Sequence, residues 1–516
     1  MTRVRRRATR PPRWVALALA VILALGTTEL GVSRADDEPG AEAPTAGGGT
    51  AQAGGDAPVQ TDEPVGEEEA ETDEPVVLDT VYDDERVGRE QSEKVDAAIG
   101  IVKDDALNAY VSAVGKRLAR YAPRYRFDYT FRVVDQDEPN AFALPGGFVF
   151  VSRGLLALTN SEDELANVLG HEIAHVAARH AAARQQVTDA MPGIVRFLSM
   201  GSLAGYNRSQ EKEADRLGQG IAGLAGYDPA GMVQFLKDLE FTERLRLGAS
   251  RRPYFLDTHP STRRRSAVAA QRAHMIAWKR KPGIARDRAD YLRRIEGIVV
   301  GISAAEGIFR GERFIHADLG FTIRFPSGWE TRNTHTAVGA VAPDRSAQVV
   351  LEAAGPGTDL EKALARFAAK AEASGLRIES TEKIKLAGKD ALRADAHVSS
   401  RFGGVDVLLT FLIHHGQTFR ITGVARREKD RNRTLFLNVA RSFRPLPAEL
   451  RKGIREDRLR IVEARPGETL AQLSERTGNR WPLNRTAVMN AVFATDALEP
   501  GQLVKVAIAQ PYRVDR

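Results

Sequence analysis

Hydrophobic residues recur at helical spacing through much of the first half of the chain. Over residues 86–120 this spacing predicts helix, and residues 161–275 are also predicted to be mostly helical. Two strands lie between these segments, one predicted over 127–134 and one over 148–151, the second directly after a Pro-Gly-Gly turn. This part of the chain is therefore predicted to be mainly α-helical, with a small β-sheet.

Alternation of apolar and polar residues becomes the dominant pattern after about residue 314. Such alternation is typical of half-buried strands, and one helix is predicted among the strands, at 359–374. The predicted strands lie at 320–326, 347–353, 391–398, 404–413 and 417–424. This region is predicted to be an α+β domain. The last segment, about 458–508, is predicted to form a strand, two helices and a strand.

The first 35 residues have the composition of a targeting segment. Six arginines precede a 13-residue apolar run at 14–26, which is too short to span a bilayer comfortably. Ser33-Arg34-Ala35 then provides a small-x-small cleavage signal. The pattern predicts a secretory signal peptide, and thus a protein that is exported to the periplasm and soluble after cleavage. An uncleaved membrane anchor is the alternative.

Charge is distributed very unevenly along the chain. The formal net charge of +6 divides into +6 over residues 1–35, −13 over 36–78 and +13 over 79–516. The middle segment holds thirteen acids and no base and has almost nothing to bury, which predicts a disordered acidic linker. The chain contains no cysteine, which excludes disulfides, thiolate catalysis and cysteine-bound metals.

An H-E-x-x-H motif formed by His171, Glu172 and His175 is the strongest chemical signal. Ser161 with Glu164 forms a capping box that predicts a helix start just before the motif. On such a helix His171 and His175 lie one turn apart, where their imidazoles can bind one Zn²⁺. Glu172 lies between them and can act as the general base on a water molecule.

A catalytic zinc needs a third protein ligand and one open position. Three acids, Glu211, Glu213 and Asp215, follow Ser209, which can cap a second helix. Glu211 and Asp215 share a helix face, so one can bind the metal while the other orients a ligand histidine. The residues alone leave the choice among the three acids open, and a merely exposed acidic face is the alternative.

Taken in order, these motifs resemble the zinc metallopeptidases that include HtpX and the CAAX-prenyl proteases. The resemblance is to the soluble periplasmic branch in particular, that of the β-barrel assembly-enhancing proteases, and it covers about residues 79–275. Besides the histidine motif and the acidic helix, it is carried by Asn140-Ala141-Phe142-Ala143, Pro145-Gly146-Gly147, Gly154-Leu155-Leu156 and Thr258-His259-Pro260.

The resemblance implies a role for each matching residue. Glu211 becomes the third ligand of one zinc ion per chain, and Asp215 becomes the supporting carboxylate. His259 is implied to lie near the metal, where it either stabilises the oxyanion or fills the open position as a self-inhibitory plug. Arg265 matches a family arginine. Residues 140–143 are implied to be an edge strand to which an extended substrate adds.

The rest of the chain resembles accessory modules. Residues 281–450 are predicted to contain a connector and a PsbP/Mog1-like α+β domain, and 458–510 resemble a β-α-α-β LysM module. The LysM resemblance rests on Arg465-Pro466-Gly467-Glu468-Thr469-Leu470, Asn490 and Pro500-Gly501-Gln502. It implies binding to peptidoglycan; a small cap without a ligand is the alternative. With a peptidase domain at 79–280, the chain is predicted to be multidomain.

Three functions are consistent with these features. The first is a zinc metalloendopeptidase, a peptide hydrolase that cuts misfolded or unassembled proteins of a Gram-negative envelope. The second is a chaperone-like or scaffold-like assembly factor with weak or self-inhibited protease activity, anchored to peptidoglycan. The third is a cell-wall binding protein dominated by its tail. The outer-membrane assembly machinery is a further predicted partner, and no nucleic acid partner is predicted.

Overall fold

The fold is known from a computed structural model of the chain. The structure describes residues 81–123, 127–180, 206–245, 255, 259, 263–372, 375–398, 404–426 and 429–513. The predicted signal peptide at 1–35 and acidic linker at 36–78 lie outside the described residues. None of the helices within the described ranges is both long and apolar enough to cross a membrane.

The N-terminal region packs helices around a three-stranded sheet. The helices are α1 (Val81–Ala98), α2 (Asp105–Ala119), α3 (Arg153–Leu158), α4 (Glu162–Ala177), α5 (Arg208–Ala225), α6 (Gly231–Leu245), α7 (Arg263–Met275) and α8 (Arg288–Ile295). The strands are β1 (Thr130–Val134), β2 (Ala141–Leu144) and β3 (Phe148–Ser152). Their order is β1–β3–β2, with β1 parallel and β2 antiparallel to β3. Strand β2 therefore lies at one edge of the sheet.

Most of the region predicted to be helical, 86–120, is helical in the structure, which divides it into α1 and α2. Gly100 adopts a φ of 82°, a left-handed conformation that ends the first helix. Asp104 then caps the second helix by accepting a hydrogen bond from the backbone N–H of Leu107. Between the two helices, Ile101 forms a bridge to β1, so the break adds backbone pairing to the small sheet.

Two glycines bring α4 and α5 into close contact. A Cβ atom on Gly218 would lie 2.7 Å from the backbone nitrogen of His171, and a Cβ on Gly170 would lie 2.8 Å from the carbonyl oxygen of Gly218. Any larger residue at either position would push the two helices apart. Helix α4 begins as predicted, since the Ser161 side chain accepts from the backbone N–H of Glu164.

The middle of the chain forms two antiparallel sheets with three helices. A four-stranded sheet has the order β14–β6–β5–β4, and a seven-stranded sheet has the order β10–β11–β12–β13–β9–β8–β7. The strands are β4 (Ile308–Arg310), β5 (Arg313–His316), β6 (Phe321–Arg324), β7 (Glu330–Asn333), β8 (Ala337–Val341), β9 (Ala347–Pro356), β10 (Leu376–Leu386), β11 (Lys389–Val398), β12 (Val405–His414), β13 (Gln417–Ala425) and β14 (Arg444–Pro445). The helices are α9 (Leu360–Glu372), α10 (Lys429–Ser442) and α11 (Ala448–Lys452). The chain therefore has mixed α and β content with several sheets.

The C-terminal segment has the element order strand, helix, helix, strand: β15 (Arg455–Glu463), α12 (Leu470–Thr477), α13 (Leu483–Met489) and β16 (Leu503–Pro511). Strands β15 and β16 pair antiparallel and enclose a small core of their own. The same segment also completes the core of the N-terminal region, where Leu459, Trp481, Met489 and Ala507 are buried with residues of α2 to α6. The tail is thus packed into the N-terminal region.

Lys505 joins the tail to that region through a buried contact. Its Nζ donates to the carbonyl oxygens of Ala157, Leu158 and Thr159 at 2.8, 3.0 and 3.0 Å, at the C-terminal end of α3. A helix C-terminus leaves such carbonyls unpaired and favours a cation. Burial lowers the pKa of Lys505 to about 7, while the charges of Glu164 and Asp238 favour its protonated form.

Replacing this lysine should destabilise the fold. Lys505→Met keeps the apolar stem but leaves three buried carbonyls without a donor, so we expect a loss of about 2–5 kcal/mol. Urea denaturation monitored by tryptophan fluorescence measures the change as a lower midpoint. Lys452→Met is the matched control, because the Lys452 side chain is exposed. Equal midpoints for the two variants would contradict a stabilising role for the Lys505 contact.

Candidate metal centre

Four buried side chains converge in the N-terminal region: His171 and His175 from α4, Glu211 from α5, and His259. Each offers one donor atom, and the four atoms lie within 4.8 Å of one another. The Nε2 atom of His171 lies 3.0 Å from Nε2 of His175 and 3.1 Å from Nδ1 of His259. Oε1 of Glu211 lies 3.3 Å from Nε2 of His175 and 2.9 Å from Nδ1 of His259.

This cluster fits a single zinc ion. A tetrahedral site with bonds of about 2.0–2.1 Å separates neighbouring donors by roughly 3.3 Å, which is close to the distances found here. Hydrogen bonds alone do not satisfy the cluster. The Nε2 atom of His171 faces ring nitrogens of both His175 and His259, yet it has one proton or one lone pair to offer. One cation between the four donors satisfies all of them.

Helix α5 carries the acidic side of the centre. Asn207, and not the predicted Ser209, caps this helix: its side chain accepts from the backbone N–H groups of Ser209 and Gln210. Counting from this start, Glu211 and Asp215 lie one turn apart on the face that contacts α4, and both are buried. Glu213 lies on another face, with 38% of its side chain exposed.

Asp215 and Arg265 form an ion pair behind the donors. Oδ1 of Asp215 lies 3.1 Å from Nδ1 of His171, so the carboxylate can fix the orientation of that ring. Arg265 donates twice to Asp215, at 2.7 Å each, and its Nη1 lies 2.8 Å from Glu211. Burial alone would raise the pKa of Asp215, but Arg265 and His171 outweigh it and hold that pKa well below its usual range.

Glu172 is completely buried beside the donors. Neither of its carboxylate oxygens has a hydrogen-bond partner among the residues that the structure describes, and Oε1 lies 3.5 Å from Nε2 of His259. Burial raises the pKa of Glu172 above its usual range. A carboxylate with a raised pKa suits the exchange of a proton with a reacting group.

The sequence motifs missed two side chains that hold His175. Nδ1 of His180 lies 2.9 Å from Nδ1 of His175, and the Tyr206 ring stacks on the His175 ring with the centroids 3.7 Å apart. Together they fix the ring whose other nitrogen faces the cluster. A spacing of five residues from His175 carries no helical signal, so the pattern gave no reason to select His180.

The predicted edge strand borders the same centre. Ala143 of β2 and His175 of α4 line one pocket. Phe142 stacks on Phe150 of the neighbouring strand with the ring centroids 5.1 Å apart. Asn140 directly precedes β2, and its backbone N–H donates to the Ser152 hydroxyl. Ala141 is fully buried.

The class of protein follows from this geometry, since an HExxH helix joined by a glutamate from a second helix is typical of zinc metallopeptidases. Residues 105–203 and 190–273 match the sequence profile of peptidase family M48. This region of the chain therefore resembles that family, which confirms the predicted resemblance. M48 peptidases use zinc, and the buried cluster can hold one ion.

Two relatives show how far the similarity extends. A β-barrel assembly-enhancing protease of Yersinia pestis is 32% identical over 221 residues, which cover 38% of this chain and 44% of that protein. The mitochondrial metalloendopeptidase OMA1 of Schizosaccharomyces pombe is 34% identical over 171 residues, which cover 30% of this chain and 50% of that protein. The chain thus spans about half the length of the curated relatives it matches.

The chain is also similar to solved structures over part of its length. Cyanobacterial PsbP from Synechocystis sp. PCC 6803 matches with a TM-score of 0.24 and 16% identity, over 29% of this chain and 98% of that chain. The assignments of residues 281–450 as a PsbP/Mog1-like domain and of 458–510 as a LysM module stay predictions.

Removing the carboxylate charge behind His171 should weaken zinc binding. Asp215→Asn keeps the shape of the side chain but loses the negative charge that orients the imidazole, so we expect zinc affinity to fall about 10–100-fold. Competition with a chromophoric chelator measures this. Asp105→Asn, an exposed carboxylate on α2, is the control. Unchanged affinity in Asp215→Asn would show that Asp215 does not support a metal ligand.

Proposed function

We propose that the protein is a zinc-dependent endopeptidase that hydrolyses unfolded or unassembled proteins of the cell envelope. The observation that carries the proposal is the buried cluster of His171, His175 and Glu211 next to Glu172, whose carboxylate has no hydrogen-bond partner in the part of the chain that the structure describes. The match of residues 105–273 to a peptidase family supports it. So do relatives named as metalloendopeptidases.

The side chains divide the chemistry between them. His171, His175 and Glu211 hold the zinc, which when bound supplies a Lewis acid that polarises the scissile carbonyl and makes water more acidic. Glu172 takes a proton from the attacking water and delivers it to the leaving amine nitrogen. Asp215 and Arg265 keep His171 and Glu211 in place, which reduces reorganisation during the reaction.

Strand β2 supports an extended polypeptide as the substrate. It lies at the edge of its sheet and borders the pocket that contains His175. A peptide that adds to this edge is held mainly by backbone hydrogen bonds, which read little of its side-chain sequence. Only unfolded or flexible segments present their backbone in this way. This mode of binding favours misfolded or unassembled proteins over folded ones.

His259 acts, on this proposal, as a plug of the metal site. Its Nδ1 is the fourth donor of the cluster, 2.9 Å from Glu211 and 3.1 Å from His171. A tetrahedral zinc with four protein ligands has no open position, and catalytic zinc sites need one. His259 must therefore withdraw before substrate binds. The same contact favours the second candidate function, an assembly factor that binds envelope proteins and cuts them rarely.

Casein cleavage distinguishes the two roles open to His259. If His259 is a plug, His259→Ala opens the fourth position and cleavage rises several-fold over wild type. If His259 stabilises the oxyanion instead, its loss lowers cleavage by about 10²–10³-fold. Fluorescein-labelled casein with zinc-loaded protein gives the rates.

Glu172→Gln is the control for the peptidase activity itself. It removes the proton acceptor and should lower cleavage about 10²–10⁴-fold while the bound zinc is retained. The endopeptidase proposal would be refuted if wild type and His259→Ala both hold zinc but cleave casein no faster than Glu172→Gln does.

The cellular setting is also part of the proposal. Relatives named for enhancing β-barrel assembly support action in the periplasm, near the outer-membrane assembly machinery. The predicted signal peptide and LysM-like tail favour export and attachment to peptidoglycan. The tail presents an aromatic side chain to solvent, Phe493, which is 69% exposed. Such a ring can stack on a sugar face.

A sedimentation assay tests wall attachment. We expect the full-length protein to pellet with purified peptidoglycan and Phe493→Ala to pellet several-fold less, since an exposed aromatic side chain contributes much of the energy of such contacts. Point variants are preferable to deletion because the tail also completes the peptidase core. Full-length protein that stays in the supernatant would eliminate the anchor.

A further inference from the structure

An arginine and an aspartate meet at the far end of the pocket beside the metal centre. Nε of Arg179 donates to Oδ2 of Asp84 at 2.6 Å, and Nη2 donates to Oδ1 at 3.0 Å. This parallel pair of bonds is the geometry by which a guanidinium recognises a carboxylate. The Asp84 side chain is 3% exposed and that of Arg179 is 20% exposed. Neither residue takes part in the proposed hydrolysis.

The pair lies where a bound polypeptide would pass. Asp84, Arg179, Ala143, Pro145, Tyr206 and His175 line the same pocket. Arg179 follows His175 by four residues and lies two residues beyond the end of α4, in the left-handed conformation with φ 51°. The pocket thus joins the C-terminal end of the edge strand β2, a metal-centre histidine and a cation.

Helix α1 brings Asp84 into this pocket by close backbone packing. A Cβ on Gly88 would lie 1.9 Å from the carbonyl oxygen of Pro145, and a Cβ on Gly146 would lie 2.5 Å from the Cα of Glu85. Helix α1 therefore lies directly against the turn that follows β2. Its first turn inserts a carboxylate beside the path of the substrate.

The geometry sets the position of the group that Arg179 would bind. A peptide paired antiparallel with β2, the commoner arrangement, places its residues N-terminal to the scissile bond near Pro145. A group bound by Arg179 then lies N-terminal to the cleaved bond, because Arg179 and Pro145 line the same pocket.

We propose that Arg179 forms a subsite for an acidic side chain of the bound polypeptide, and that Asp84 of α1 fills this subsite until substrate displaces it. The proposal deepens the proposed endopeptidase function and rests on it. It assigns the protein a preference for acidic residues on one side of the cut. It also makes α1 a competitor built into the fold, because substrate and Asp84 use the same guanidinium.

Paired peptides test the subsite by binding, without any need for cleavage. Full-length protein carrying Glu172→Gln is titrated into pairs of fluorescein-labelled peptides. The two peptides of a pair differ only by Glu or Gln at one position. The pairs cover each position from three residues before the expected cut to two residues after it. We expect the Glu peptide to bind about tenfold more tightly at one position before the cut, a factor that corresponds to ~1.4 kcal/mol. Fluorescence anisotropy gives both affinities.

Variants at the pair give the decisive comparison. Adding Arg179→Gln should abolish the preference for Glu, Arg179→Lys should retain part of it, and Asp84→Asn should increase it several-fold by removing the competitor. Arg89→Gln and Glu93→Gln, exposed residues of α1, are matched controls. Asp84→Asn keeps the test valid if the arginine variants do not fold.

Three outcomes would overturn the proposal. They are equal binding of Glu and Gln peptides, no binding of either peptide, and a lower thermal midpoint in both Asp84→Asn and Arg179→Gln without any change in preference. The third outcome would show that the ion pair of Asp84 and Arg179 only stabilises the fold. Casein cleavage by wild type is scored separately, so a protein that cuts without acidic preference retains the proposed function and loses only the subsite.

Discussion

The contact between α4 and α5 is the constraint on which the metal centre depends. His171 and His175 come from one helix and Glu211 and Asp215 from the other, so no local pattern can place their side-chain atoms 3–4 Å apart. Gly170 and Gly218 permit that approach, because each presents bare backbone to the opposite helix. The close packing sets Glu211 against both histidines and puts Asp215 behind His171. The site is therefore a property of a helix interface.

Burial of so many charges requires that they balance. Glu172, Glu211 and Asp215 lie in the interior, and within the described ranges the permanent cation that contacts two of them is Arg265. Such carboxylates are costly to bury without partners. A divalent cation between the histidines and Glu211 supplies the missing positive charge, so the donors and the metal stabilise each other. Both carboxylate oxygens of Glu172 lack a hydrogen-bond partner among the described residues, which is the condition a proton acceptor needs.

The features that could be predicted from the sequence depend on residues that are close together in the chain. The HExxH helix and its Ser161 cap follow from spacing and residue type. The break at Gly100 was missed because helical spacing continues across it. Strand β10 was missed because most of its side chains are exposed and do not alternate. Lys505 and the bonds of Arg265 depend on segments far apart in the chain, which periodicity does not report, and His180 lies five residues from His175, a spacing that carries no helical signal.

Both ends of the described chain are fastened to the helix that carries the histidines. Lys505 binds carbonyls up to Thr159, two residues before the cap of α4, and Asp84 binds Arg179, two residues beyond its last turn. Movement of α1 or of the tail is therefore transmitted to α4 through a buried lysine or a buried ion pair. If peptidoglycan binds the tail, a force on the tail acts through Lys505 on the start of α4. Displacement of α1 acts on its end, next to His175. A helix restrained at both ends keeps its histidines in register, which is what a metal centre assembled across a helix interface requires.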